Sequence, residues 1–235
     1  MRPGIAALKS LALLRAFDDD ALAALDQASD RTGMGPGDVL FRADDILRDL
    51  PVLIWGQIAA IHPSGGDDAA PTDVWTAVQP LCLAAAMLGQ PAPVGAQALS
   101  TVRVILLQVD ALRSILRARP ALSAPFLDHS LQETLALTRA VVDLKLRSAA
   151  QRLAEYLLGR LQEPEMRPAR CVLPIEKRLL AAKLGCSQEN LSRAFAALRR
   201  VGVQTQGAVV IVNDAGRLRD LAQSRRRQAR LTPVR

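Results

Sequence analysis

Apolar residues change their spacing twice along this chain. Over Ile5–Ala28 they recur at Leu11, Leu14, Phe17, Leu22 and Leu25, and this three-and-four step predicts one or two short helices. Asp18-Asp19-Asp20 opens the second, where carboxylates suit the positive end of a helix. From Met34 the period shortens. Met34–Phe41 reads as a glycine–proline turn followed by a strand. Leu50–Ile61, with Gly56 at its centre, reads as a hairpin, Val74–Val78 and Val102–Val109 as strands, and Asp67–Asp73 as a polar loop. Many short strands with glycine turns predict a β-roll or barrel. After Pro125 the helical step returns in Leu127, Leu131, Leu135 or Thr134, Thr138, Val141 or Val142, and Lys145. That stripe predicts one long helix with a seam like that of a coiled coil. A second helix follows over Arg147–Leu161, with Ala150, Leu153, Ala154, Leu157 and Leu158 on one face.

The most informative pattern runs from Leu173 to Val203. Ile175–Leu184 reads as a short helix, with Pro174 ahead of it where a missing N–H costs nothing. Gly185 supplies the left-handed residue that ends it, and Ser187 caps a second helix over Gln188–Arg200. Leu191, Ala194, Phe195 and Leu198 form the buried face of that helix. Gln188, Glu189, Ser192, Arg193, Arg199 and Arg200 form the other. Small or apolar residues at Leu180, Ala181, Leu184, Cys186, Leu191 and Ala194 let the two helices cross closely, the pattern of a helix-turn-helix. A plain core hairpin has no reason to gather glutamate, serine and arginine on one exposed turn. In a helix-turn-helix that turn enters the DNA major groove. There Arg193 can fork onto guanine O6 and N7, and Glu189 can accept from a cytosine amino group. Four residues apart, the two can also brace each other. The DNA-contact set is Ser187, Gln188, Glu189, Asn190, Ser192, Arg193 and Arg199. Gly202–Val203 and Ala208–Val212, around Gln206-Gly207, add a hairpin and make the unit a winged helix.

Charge sharpens this picture. The net +7 divides unevenly: residues 1–140 carry 11 Lys and Arg against 15 Asp and Glu, a net of −4. Residues 141–235 carry 19 against 8, a net of +11. The basic part coincides with the helix-turn-helix, as expected of a domain that meets a polyanion. Glu163–Cys171, rich in proline and charge, reads as a linker and domain boundary. From Ser224, with Arg225, Arg226, Arg227 and Arg230, the chain reads as a basic, disordered tail, for which added phosphate contacts and a merely solvated segment are equal readings.

Gly185-Cys186-Ser187-Gln188-Glu189-Asn190-Leu191-Ser192-Arg193 resembles the recognition motif of the CRP/FNR regulators. Glu189, Ser192 and Arg193 match the Glu-x-x-Ser-Arg arrangement of the FNR branch, which implies TTGA-type half-sites. By that resemblance Glu189 and Arg193 address a G·C pair and Ser192 a thymine. Glu176–Leu198 and Leu146–Leu158 resemble the FtrB-like subgroup more closely. The phrases GPGDVLF (residues 35–41) and VLIWGQIAAI (residues 52–61) resemble the β-roll of cyclic-nucleotide-binding regulators. The expected fold is therefore α+β. Residues 1–120 hold a cyclic-nucleotide-binding-like β-roll with N-terminal helices, 121–146 a dimerisation helix, 147–223 a winged helix-turn-helix, and 224–235 the tail. The resemblance implies a homodimer on palindromic double-stranded DNA, with RNA polymerase as a possible partner. Such a pair places two recognition helices one helical turn of DNA apart.

The signal read by the roll is a separate question. Cyclic-AMP-binding members hold the phosphate with a glycine–glutamate step and an arginine followed by Ser or Thr. Here Val74–Val102 contains no charged residue. A phosphodiester buried there would lack a cation, so no cyclic AMP is expected. An uncharged pocket suits a hydrophobic ligand or haem, or is simply a filled core; His62 and His129 are the candidate haem ligands, with an ordinary surface or capping histidine the commoner reading of each. The alternative function is thus a haem-binding or small-hydrophobic-ligand sensor of gas or redox state acting on transcription. Cys82, Cys171 and Cys186 are widely spaced, with no CxxC, and no cysteine precedes Cys82. The cluster-binding cysteines of FNR are therefore missing, no iron–sulfur cluster is expected, and no metal site is read. No nucleophile, metal or P-loop spacing points to an enzyme. No apolar run reaches the ~20 residues of a membrane helix, and no signal peptide opens the chain, so the expected compartment is the cytoplasm.

Overall fold

A computed structural model of the chain describes residues 8–62, 70–161, 165–173 and 176–224. They divide into two compact units, Met1–Thr138 and Arg139–Arg235. In chain order the first contains a 3₁₀ turn (Ala12–Leu14), α1 (Asp19–Gln27), β1 (Ser29–Met34), β2 (Val39–Phe41), β3 (Asp49–Trp55), β4 (Gln57–His62), β5 (Ala70–Thr76), β6 (Gln79–Pro80), α2 (Leu83–Leu88), β7 (Gly95–Ala98), β8 (Val102–Gln108), α3 (Val109–Ala118) and a second 3₁₀ turn (Pro120–Ser123). Helix α4 (Ala124–Leu146) follows, and the division between the units falls inside it. The second unit continues with α5 (Ala149–Leu158), β9 (Ala169–Val172), α6 (Lys177–Lys183), α7 (Gln188–Arg199), β10 (Val203–Gln206), β11 (Val209–Val212) and α8 (Ala215–Gln223).

Two antiparallel four-stranded sheets build the first unit, in the orders β1-β8-β3-β6 and β2-β7-β4-β5. Strand alternation lets β3 and β8 serve two cores at once. Leu53, Val102 and Val104 point between the sheets, toward Phe41, Ile58, Ala96 and Ala98. Leu50, Val52, Ile105 and Leu107 point the other way, under a layer that includes Leu22 and Leu25 of α1, Leu83 of α2, Leu112 of α3 and Phe126 of α4. Both faces of β3 are covered, which is why it reads as a continuous apolar run. Gly56 joins β3 to β4 at φ +92°, and a Cβ there would lie 2.4 Å from the carbonyl oxygen of Thr101, so only glycine makes this turn. Leu50–Ile61 is not the hairpin expected: β3 pairs with β8 and β6, and β4 with β7 and β5, so the turn at Gly56 carries the chain from one sheet to the other. The expected β-roll is present, and α1 starts as its carboxylates suggest: Asp18 accepts the N–H of Ala21 at 2.8 Å. That bond and Arg119 hold the Asp18 carboxyl below its usual value.

The second unit has a three-stranded antiparallel sheet, β10-β11-β9, packed with its helices around one core. Leu153 and Leu157 of α5, Leu180 of α6, Leu191 and Leu198 of α7, Val210 of β11 and Leu218 of α8 are fully or almost fully buried there. Ser148 and Gln151 cap α5 reciprocally, each side chain bonding the other's backbone N–H.

Several expectations need correction. Ala70–Asp73, read as part of a polar loop, belongs to β5, whose Thr72 and Asp73 tolerate exposure on an edge strand; residues 67–69 lie outside the described residues. The linker read over Glu163–Cys171 ends in strand β9. Ala169 and Cys171 point into the core while Arg170 and Val172 face out, an alternation too short to stand out in sequence. Residues 162–164 of that segment lie outside the described residues, as do Pro174, Ile175 and the tail from Arg225. Strand β1 was not anticipated because it is a sheet edge, so Ser29, Asp30, Arg31 and Thr32 stay polar. Helices α2, α3 and α8 and strand β7 were not anticipated either.

Candidate nucleic-acid interface

The sequence around Gly185 dictates a sharp reversal. Gly185, at φ +60°, follows the last turn of α6, its N–H bonding the carbonyl of Ala182 (2.8 Å) while the N–H of Cys186 bonds that of Ala181 (2.9 Å). This paired closure is a Schellman motif, which stops one helix and frees the chain to begin another. Ser187 then caps α7 by accepting the N–H of Asn190 at 3.2 Å. Leu191, Ala194, Phe195 and Leu198 anchor α7 in the core, so its opposite face must point to solvent.

All seven residues expected to meet DNA are exposed: Ser187, Gln188, Glu189, Asn190, Ser192, Arg193 and Arg199. Gln188, Glu189, Ser192 and Arg193 share the first two turns. Arg193 Nη2 lies 2.5 Å from Glu189 Oε1, with both side chains more than 70% exposed. An ion pair so exposed adds little to stability and exchanges readily for other partners. Ser192 Oγ donates to the carbonyl of Gln188 at 3.0 Å. Asn190 sits to one side, lining a shallow groove with Ser148, Arg152 and Cys186. Arg199 is on the same side of α7 as Ser192 but ~15 Å along the axis from Glu189, by helical rise. It therefore flanks the cluster on the first two turns without joining it.

Sequence reasoning missed other parts of this surface. Lys177 and Arg178 are exposed on α6, and Gln204 and Gln206 on the wing strand β10. Their signal is the basic charge of the segment and the hairpin turn at Gly207, which fix no individual role. Arg152 was missed as well; it is not part of the exposed row but bonds the backbone of the helix-turn-helix turn from α5, far away in sequence.

Residues 151–221 match the family described as the Crp-like helix-turn-helix domain. The chain is also similar to solved structures. One is a protein of Ruegeria pomeroyi DSS-3 described as cyclic-nucleotide-binding, 27% identical over 94% of this chain and 97% of that one, with a TM-score of 0.61. Another is a CRP/FNR-family transcriptional regulator of Thermus thermophilus, TTHA1359: 20% identity, 83% of this chain, 100% of that one, TM-score 0.62. A third is FixK2 of Bradyrhizobium japonicum: 15% identity, 83% and 98%, TM-score 0.67. The chain has the CRP/FNR-type DNA-binding regulator fold. No curated protein sequence matches it. In this CRP/FNR-type fold the exposed row on α7 occupies the second helix of the helix-turn-helix, and the two sheets of the first unit form the cyclic-nucleotide-binding-like roll.

The candidate ligand residues do not converge. His62 is exposed at the end of β4; His129 is half-buried on α4, beside Arg15 and Asp128. The roll does contain a cavity of about 310 Å³, lined mainly by apolar atoms of Val39, Phe41, Ile61, Gly95 and Ala96, with Arg42 and Gln97 as its polar residues. Neither histidine lines it. No group of three or more potential metal ligands occurs among the described residues. Cys82 begins α2 and is half-buried, and burial pushes its thiol up to about 11. None of the described helices is long and apolar enough to cross a membrane.

Proposed function

We propose that this protein is a homodimeric, sequence-specific transcription regulator of the CRP/FNR family and its FtrB-like subgroup, acting in the cytoplasm on palindromic operators with TTGA-type half-sites. The observation that carries this reading is the exposed row Gln188, Glu189, Ser192 and Arg193 on the first two turns of α7, within a Crp-like helix-turn-helix. One such helix reads only a few base pairs, and a two-fold pair reads a palindrome. The pairing surface is the apolar stripe of α4: Leu127, Leu131, Leu135 and Val142 are each 47–61% exposed in the single chain. A stripe this long and apolar is covered by a second copy. RNA polymerase is a further partner that such a regulator would engage.

The roll's cavity would take the signal. Its mainly apolar lining, with Arg42 as the one charged residue there, and the uncharged stretch Val74–Val102 favour a small, mainly apolar effector over a cyclic nucleotide, although the Ruegeria relative is described as binding one. The same lining, free of histidine, favours that effector over haem. Binding of the effector would shift the population between dimers with badly and well placed recognition helices. Calorimetry is expected to show no cyclic AMP binding, and hemin no Soret shift; micromolar binding of either refutes this assignment.

The experiment that tests the DNA reading is fluorescence anisotropy with inverted TTGA repeats and scrambled duplexes, for wild type and Arg193→Ala. The repeat is expected to win, and the variant to lose about 1–3 kcal/mol of that preference. Equal binding of every duplex by both proteins refutes the assignment of α7 as base-reading.

A further inference from the structure

Arg152 extends its guanidinium between two helix ends. Its Nη1 donates to the carbonyl of Arg147 (2.6 Å), just past the end of α4. Nε donates to the carbonyl of Leu184 (2.8 Å) and Nη2 to that of Gly185 (3.3 Å), in the turn between α6 and α7. Carbonyls at helix C-termini lack intrahelical partners and carry the negative end of the helix dipole. The Schellman closure of α6 leaves the Leu184 and Gly185 oxygens for another donor, and Arg152 is that donor. Beside this bridge, the side chain of Leu144 lies over the turn: a Cβ on Gly185 would meet Leu144 Cδ2 at 2.4 Å. The last turns of α4 and the helix-turn-helix turn are thus joined twice, by a forked cation and by an apolar contact.

We propose that Arg152 is a positioning residue for DNA recognition: it locks the Arg147–Ser148 joint so that the end of α4 and the recognition helix α7 move as one body. The joint between α4 and α5 looks like a natural hinge, since Ser148 is non-helical between two helices. With Arg152 in place it is closed, and reorientation of α7 requires displacement of α4 itself. The spacing between the two recognition helices of a dimer then follows from where the ends of the two α4 helices are held. Arginine is required because only its planar fork carries donors on three separate nitrogens, spread widely enough to reach all three carbonyls; the three donors of lysine share a single nitrogen. The role in DNA recognition rests on the function proposed above, while the lock itself does not.

The lock is tested without DNA by pulsed electron resonance. Nitroxides are placed on Arg139→Cys and Ala196→Cys of the full-length chain, with Cys82, Cys171 and Cys186 replaced by alanine and labelled chains diluted into unlabelled ones. The wild-type background is expected to give a narrow distance distribution, and Arg152→Met and Arg152→Lys a broadened or shifted one. The lysine variant decides the matter if the methionine variant does not fold. A distribution as narrow and as centred as that of wild type overturns the lock. The consequence for DNA is read with inverted TTGA repeats at stepped centre-to-centre spacings. Arg152→Lys is expected to lose the wild-type preference for one spacing while binding a single half-site as wild type does, an outcome that mere loss of stability does not produce. An unchanged spacing preference overturns the positioning role. If wild type does not distinguish the repeat from scrambled DNA, the DNA reading is what fails, and the distance distributions alone decide on the lock.

Discussion

At the scale of single residues, Gly185 concentrates the constraints of the turn. Its φ of +60° is left-handed, and Leu144 occupies the space a side chain would need. Gly185→Ala is therefore expected to cost about 1–2 kcal/mol from backbone strain alone, and more from the overlap with Leu144. Urea unfolding of Gly185→Ala with and without Leu144→Ala separates the two costs. The second substitution should remove the overlap and leave the strain, so the pair will be less than additive. Full additivity would mean that Leu144 does not rest on Gly185. The cysteines give a pH prediction. Burial raises the thiols of Cys82, Cys171 and Cys186, Cys82 to about 11, while Arg152 partly offsets the effect at Cys186. A raised value means the neutral thiol persists to higher pH, and the thiolate is the reactive form. Iodoacetamide should label the native protein slowly near pH 8 and faster as the pH rises toward 11, with unfolded chain reacting quickly throughout. Rapid labelling of native Cys82 at neutral pH would contradict its burial.

At the scale of elements, legibility followed solvent exposure. The turn of α6 and α7 was readable because each position there has a separate physical demand: a left-handed glycine, a serine cap, four anchors at helical spacing. Helix α4 was readable from its stripe. Strand β1 was not, because a sheet edge needs no apolar alternation, and neither was β9, whose four residues are shorter than the pattern that reveals a strand. Helix α8 escaped notice because only Ala215, Leu218 and Ala222 of its nine residues are buried. Arg152 could not be found at all, since its partners are backbone carbonyls and carbonyls leave no mark on sequence. The α4 stripe carries its own prediction. Leu135 is half exposed, in line with Leu127, Leu131 and Val142. Replacing it by glutamate puts a charge at the centre of the proposed seam, where each subunit would face the other's carboxylate in a poorly hydrated contact. Sedimentation at micromolar concentration should show a dimer for wild type and a monomer for Leu135→Glu, with unchanged helical content. A wild-type monomer, with and without DNA, would remove the seam from the description of this helix.

At the scale of the whole molecule, the separation of charge predicts how the proposed regulator would approach DNA. Residues 141–235 carry a net +11, and the rest of the chain a net −4. Phosphates are attracted to one part and repelled by the other, so binding by the wrong surface is disfavoured before any base is read. Five of the basic residues, Arg225, Arg226, Arg227, Arg230 and Arg235, lie beyond α8. Each phosphate neutralised releases counterions, and affinity for duplex DNA falls with salt by a log–log slope of about 0.9 per contact. Wild type should therefore show a steep slope on scrambled duplexes and a similar slope on inverted TTGA repeats, because phosphate contacts carry no sequence information. Replacing the five arginines by glutamine should flatten both slopes together and weaken both affinities while leaving their ratio intact. Arg193→Ala should do the opposite, collapsing the ratio while changing the slope by at most about one contact. If the five-arginine variant lost the ratio as well, those residues would be reading bases and the division between a steering charge and a reading helix would fail. If Arg193→Ala flattened the slope and spared the ratio, Arg193 would be a phosphate contact, and base recognition would pass to Gln188 and Ser192 beside it.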